Sequence, residues 1–125
     1  MCTQLVCNGY DEFKAHVAEN KGKTIFAFFT GAADALDNES WCPDCVKADP
    51  VIESKMSEIP EDAIFILCAV GTCEFWKDKQ NAFRTDADLK LTCVPTLVKM
   101  GKDIKKLGEA ECANGDLVSM LFTED

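Results

Sequence analysis

Cys42 and Cys45 stand three positions apart in the stretch Trp41-Cys42-Pro43-Asp44-Cys45, the most chemically specific part of the chain. At positions i and i+3 of a helix two thiols share one face, so a reversible disulfide can close within a single turn. Cys42 falls at the exposed N-terminal end of such a helix, where unpaired backbone N–H groups and the positive end of the dipole favour thiolate over thiol. That makes Cys42 the expected nucleophile. Pro43 suits the first helical position, because its missing N–H costs nothing there and its fixed φ stiffens the mount. Cys45, one turn inside, is expected to be shielded and to act as the resolving thiol. The chemistry this spacing predicts is exchange: the Cys42 thiolate attacks a substrate disulfide, and Cys45 then attacks Cys42 and releases the reduced product. Asp44 has two readings that can both hold. It opposes a second negative charge on Cys42 and so tunes reactivity, or it is an ordinary helix-start residue favoured by the dipole.

These residues need elements to hold them. The run Gln4–Cys7 suits a first strand, after which Asn8 offers an N-cap and Tyr10, Phe13 and Val17 mark one face of a helix ending near Asn20. The apolar run Thr24–Thr30 predicts a strand buried on both faces that leads toward the motif. Gly31–Ser40 reads as a loop, and Val46, Ile52, Met56 and Ile59 then recur at helical spacing until Pro60. Ala63–Val70 predicts a second buried strand, parallel to the first because a helix connects them. A short helix is expected near Gln80–Arg84. A hairpin follows from Val94 to Leu107, and a final helix has Asn114 as cap with Leu117, Val118, Leu121 and Phe122 as its apolar stripe. Strands and helices that alternate and then give way to a hairpin imply an α/β fold, a mixed five-stranded sheet with helices on both faces.

Composition narrows the function. A chain of 125 residues, 47% hydrophobic and 28% charged, with no repeat or low-complexity segment, is expected to form one domain over residues 1–125. Its 13 Lys and Arg against 22 Asp and Glu give a formal charge of −9, which argues against nucleic-acid and anionic-membrane partners. The start, Met1–Phe13, has neither a basic nor an apolar leader region, so a cytosolic location is expected and most of the eight cysteines should be thiols. With one CxxC and one histidine, His16, a structural zinc site is not expected.

The motif Trp41–Cys45 resembles the WCxxC active site of the thioredoxin family, Val94-Pro95-Thr96 resembles its cis-proline loop, and Pro50 matches the proline inside its active-site helix. The three features are independent, and with the element order they cover nearly the whole chain. The resemblance implies a thioredoxin-like fold, with Pro95 in cis beside Cys42 and Trp41, Val94, Pro95 and Thr96 contacting an extended substrate segment. It implies no bound cofactor, with electrons reaching the dithiol from NADPH through thioredoxin reductase. The long loop before the motif is similar to that of small cytosolic members of the family. Those members imply selectivity for cystine, mixed disulfides and nitrosylated thiols, and links to peroxide removal, dynein light chain and inflammatory signalling. The chain departs from the family at Ala27, about where ordinary thioredoxins bury an acid, so Asp44 or a water near it is the candidate proton acceptor for Cys45.

Asp34, Asp37, Glu39 and Asp44 lie within eleven residues lacking any basic residue. They either give the site an acidic approach that discriminates against acidic protein surfaces, or are solvated loop charges. Trp41 either shields the site and packs on substrate or fills core, whereas Trp76 reads as structural and His16 as an ordinary helix residue. Cys68 reads as a small buried hydrophobe, Cys73 and Cys93 as possible regulatory thiols, and Cys2, Cys7 and Cys112 carry no assignment. A disulfide reductase leads; a redox-gated adaptor and a peroxide-reacting thiol protein are the alternatives.

Overall fold

The computed structural model describes residues 3–31, 43–71, 73–86, 89–100 and 104–123. Along the chain run β1 (Thr3–Asn8), α1 (Tyr10–Glu19), β2 (Ile25–Thr30), α2 (Pro43–Lys55) with a 3-10 turn (Met56–Glu58), β3 (Ile64–Ala69), α3 (Cys73–Lys77), α4 (Ala82–Thr85), β4 (Thr96–Met100), β5 (Ile104–Leu107), α5 (Glu109–Cys112) and α6 (Gly115–Thr123). The five strands form one mixed sheet in the order β1-β3-β2-β4-β5. β1 and β2 both run parallel to β3, while β4 runs antiparallel to β2 and β5 antiparallel to β4. The α/β architecture expected from the sequence is therefore present.

All six residues of β2 are buried, as a central strand covered on both faces requires. Side chains alternate across the pleat. Ile25, Ala27 and Phe29 join Phe13 of α1, Trp76 and Phe83 in one core, and Phe26 and Phe28 join Ala48 and Ile52 of α2 and Val118, Leu121 and Phe122 of α6 in the other.

Several local expectations are corrected. Asn8 ends β1 rather than capping α1; the N-cap is Gly9, at φ 91°, a left-handed conformation that glycine adopts without cost. Val46 is 39% exposed, because the buried stripe of α2 is Cys45, Ala48 and Ile52, and Val46 projects about 100° from Cys45 around the helix axis. The regular helix ends at Lys55, five residues before Pro60, and tightens into the 3-10 turn. Gln80 lies in the turn before α4, and the helices α3 and α5 were not expected at all. The cap of α6 is as expected: the Asn114 carboxamide oxygen accepts from the N–H groups of Asp116 (3.0 Å) and Leu117 (3.3 Å).

Candidate active site

β2 and β3 are parallel, so the chain leaves both at the same sheet end, β2 toward the CxxC helix and β3 toward α3. α2 begins at Pro43, where proline is best tolerated, with Asp44 in its first turn. Trp41, Cys42 and the loop acids Asp34, Asp37 and Glu39 lie outside the described residues. Asp44 is exposed and Cys45 is fully buried. Adjacent helix residues do not face one another, and here they divide between water and core.

Cys45 is in the first core, which also contains Ala27 at 0% exposure and Val94 at 6%. Ala27 pairs with Ile66 on one side and Val98 on the other, which makes it a wholly apolar position in the middle of the sheet. Farther along α2, Pro50 stands inside the helix. It cannot donate to the Val46 carbonyl, so one helical hydrogen bond is missing a turn after the motif.

The Val94–Pro95 peptide is cis, as the resemblance implied, and all of Val94, Pro95 and Thr96 are buried. Thr96 opens β4, and its hydroxyl donates to the Cys93 carbonyl at 2.7 Å. The half-buried Cys93 thiol lies 3.6 Å from the same hydroxyl. Cys112 is fully buried; its thiol donates to the Leu107 carbonyl at 3.3 Å, and burial pushes it up to about 12. Cys73 opens α3, on the exit from β3.

That exit is shaped by Gly71, at φ 109°, where an added Cβ would come within 3.1 Å of the Phe75 ring. Trp76 is 7% exposed and carries the Arg84 guanidinium over its ring at 4.2 Å, in keeping with a structural role. The organiser of this segment is Asn81, which sequence reasoning passed over. It is 4% exposed, and its amide group donates to the carbonyls of Trp76 (3.0 Å) and Asp78 (2.8 Å) while its oxygen accepts from Arg84 N–H (3.1 Å) as the cap of α4. An asparagine directly before a short apolar-aromatic run is a cap signal that could have been read. His16 sits on α1, 4.0 Å from Glu19, apart from these residues. No helix among the described residues is long and apolar enough to cross a membrane, and no three metal-ligating side chains among them converge.

The family model described as "Thioredoxin domain-containing protein 17-like, thioredoxin domain" matches residues 6–124. Thioredoxin domain-containing protein 17 of Epinephelus coioides is 53% identical over 117 residues, covering 94% of this chain and 92% of that protein. The Homo sapiens protein of the same name is 50% identical over 122 residues, covering 98% and 96%. In three dimensions the chain resembles the thioredoxin of Fasciola hepatica, with a TM-score of 0.59 at 20% identity over 97% of this chain and 96% of that one, a likeness of fold.

Proposed function

The chain belongs to the thioredoxin domain-containing protein 17-like family, and on that premise we propose that it is a thiol–disulfide oxidoreductase that reduces small and mixed disulfides in the cytosol. The observation that carries this reading is the complete burial of Cys45 in the first turn of α2. A buried thiol resolves a mixed disulfide formed on its neighbour, but is a poor target for an external one. The Cys42 thiolate attacks one sulfur of the substrate disulfide, the new S–S bond forms as the substrate's breaks, and the first product leaves as a thiolate that takes up a proton. Cys45 then gives up its proton and attacks Cys42, which closes Cys42–Cys45 and expels the second product. Two electrons from NADPH, delivered by thioredoxin reductase, reopen the dithiol. Trp41 and the Val94-Pro95-Thr96 segment flank the incoming disulfide. The acidic approach formed by Asp34, Asp37, Glu39 and Asp44 favours small disulfides such as cystine over acidic protein surfaces.

The test is NADPH consumption in the presence of thioredoxin reductase, with cystine and then with insulin as substrate. Turnover of cystine, poor turnover of insulin and a dead Cys42→Ser chain are expected. A Cys45→Ser chain should accumulate the mixed disulfide on Cys42. Absence of turnover with both substrates would sink the reductase reading and favour an adaptor.

A further inference from the structure

Outside the motif, two more thiols face each other. Cys7 of β1 and Cys68 of β3 are directly opposite in the parallel ladder, both 0% exposed and both in the first core. Both are free. The Cys68 thiol lies 3.8 Å from the Ala69 carbonyl and 4.0 Å from that of Gly9, at the C-terminal ends of the two strands.

We propose that Cys7 and Cys68 are a second dithiol pair, separate from Cys42 and Cys45, which peroxide closes into a disulfide joining β1 to β3. The interaction between the two thiols lowers Cys7 below its ordinary range and, together with burial, raises Cys68 above it. Cys7 lies on the edge strand, where a small oxidant arrives first, and is the attacking sulfur; Cys68, on the inner strand β3, is the resolving one. The Cys7 thiolate attacks one peroxide oxygen, the O–O bond breaks, and the leaving hydroxide takes up a proton to become water. Cys7 is then a sulfenic acid. Cys68 attacks its sulfur, the S–O bond breaks, a second water leaves carrying the Cys68 proton, and the S–S bond closes. Two thiols are oxidised by two electrons and one peroxide is reduced to two waters.

Access follows from the topology. β1 is an edge strand whose only fully buried residue is Cys7; Thr3, Gln4, Val6 and Asn8 are exposed. An edge strand paired on one side, with Cys7 fully buried and Leu5 partly buried against the core, opens locally at lower cost than the inner strands, enough to admit a small oxidant. The uncharged disulfide also suits this core, whereas a monovalent soft cation on two thiolates would leave a net negative charge buried near the Glu12 carboxylate, whose own charge disfavours a thiolate at either position. Facing positions on neighbouring strands stand about 4.8 Å apart, inside the roughly 4.4–6.8 Å between Cα atoms that a disulfide spans, so the bond can close without moving the strands apart.

The experiment is peptide mapping of the native full chain after treatment with hydrogen peroxide, with remaining thiols alkylated before digestion by trypsin. The fragment Met1–Lys14 holds Cys2 and Cys7, and Met56–Lys77 holds Cys68 and Cys73. A Cys2→Ser, Cys73→Ser chain makes the assignment unique, and fragment sequencing of the unaltered chain provides it without any substitution. The expected result is a crosslinked fragment lighter than the sum of its parts by two hydrogens, formed in proportion to peroxide and abolished by reductant. Recovery of Cys7 and Cys68 as alkylated thiols after oxidation of Cys42 and Cys45 would overturn the proposal. So would a crosslink that forms only in denaturant, or Cys7 recovered as a sulfinic acid beside an alkylated Cys68.

Discussion

On one side of the sheet Cys7, Cys45 and Cys68 share a core with Ala27 and Val94; on the other, Phe26, Phe65 and Phe122 pack edge to face, with ring centroids 5.1 and 6.5 Å apart about Phe122. Both cores are buried, but they hold different chemistry. The second is made of groups that can only pack, and its one cysteine, Cys112, is held as a thiol by burial. The first places Cys7 opposite Cys68 and holds Cys45 in the same core as the apolar position Ala27, where a change of one side chain alters charge as well as volume. Stability and reactivity should therefore separate by face: a loss in the second core costs folding alone, and a change in the first costs both.

The largest effect should come from Phe122→Ala. Removing a ring at 0% exposure that meets two others costs about 3–5 kcal/mol of stability, by lost burial and by the cavity left behind. Urea unfolding should show that loss while turnover per folded molecule, measured well below the midpoint, stays unchanged. A fall in the turnover of folded molecules would break the separation between the faces.

Ala27→Asp is the matching change in the first core. A carboxylate at a fully buried site is desolvated, which raises it well above the ordinary aspartate range and costs about 4 kcal/mol at pH 8. The sign is that of an acid raised by folding: the folded state binds its proton more tightly, so the penalty is absent below the unfolded aspartate value and complete above the raised one. Urea midpoints at pH 4 and pH 8 should differ accordingly. The same carboxyl offers Cys45 the proton acceptor that Ala27 denies it, so release of the second product should speed up. Unchanged release would show that Asp44 or water already suffices.

Asn81→Ala acts beside the first core rather than in it. The change strips the cap of α4 and leaves the Asp78 carbonyl without its side-chain donor, at a cost of about 1–3 kcal/mol. Faster proteolytic cutting within residues 73–86 is the measurement, and protection equal to the parent chain would make Asn81 a bystander.

How much of this was legible beforehand follows from the range of each signal. The Cys42–Cys45 spacing, the buried run that became β2, the Val94-Pro95-Thr96 loop and the Asn114 cap all act over a few residues, and the positions of those that are described agree with them. The exposure of Val46 was misread because Ile52, Met56 and Ile59 drew the stripe, while the small buried residues Cys45 and Ala48 carry little hydrophobic weight. The four- and five-residue helices α5 and α3 are too short to show a period. The pairing of Cys7 with Cys68 joins positions far apart in sequence, and only the register of β1 on β3 brings it out. For Trp41, Cys42 and the loop acids, placement lies outside the described residues, and their roles rest on the motif.

The smallest effect tests α2 itself, the element that touches both cores. Partial burial of its carboxyl and the like charge of Glu53, one turn on, both raise Asp49 above the ordinary aspartate value. A raised acid binds its proton more tightly in the folded state, so the ionised form weakens folding, fully above the raised value and not at all below the unfolded one. Asp49→Asn should thus stabilise the chain at neutral pH, and the gain should fade as the solution is acidified. Because Asp49 is an exposed residue, solvent screens the repulsion, and the expected gain is the usual i,i+4 value of about 0.2–0.5 kcal/mol. Urea midpoints at pH 7 and pH 3 give the comparison. A gain of equal size at both would assign the effect to helix packing rather than charge; with the expected loss of gain, α2 carries a charge penalty on its outer face independent of the thiol it holds in the first core.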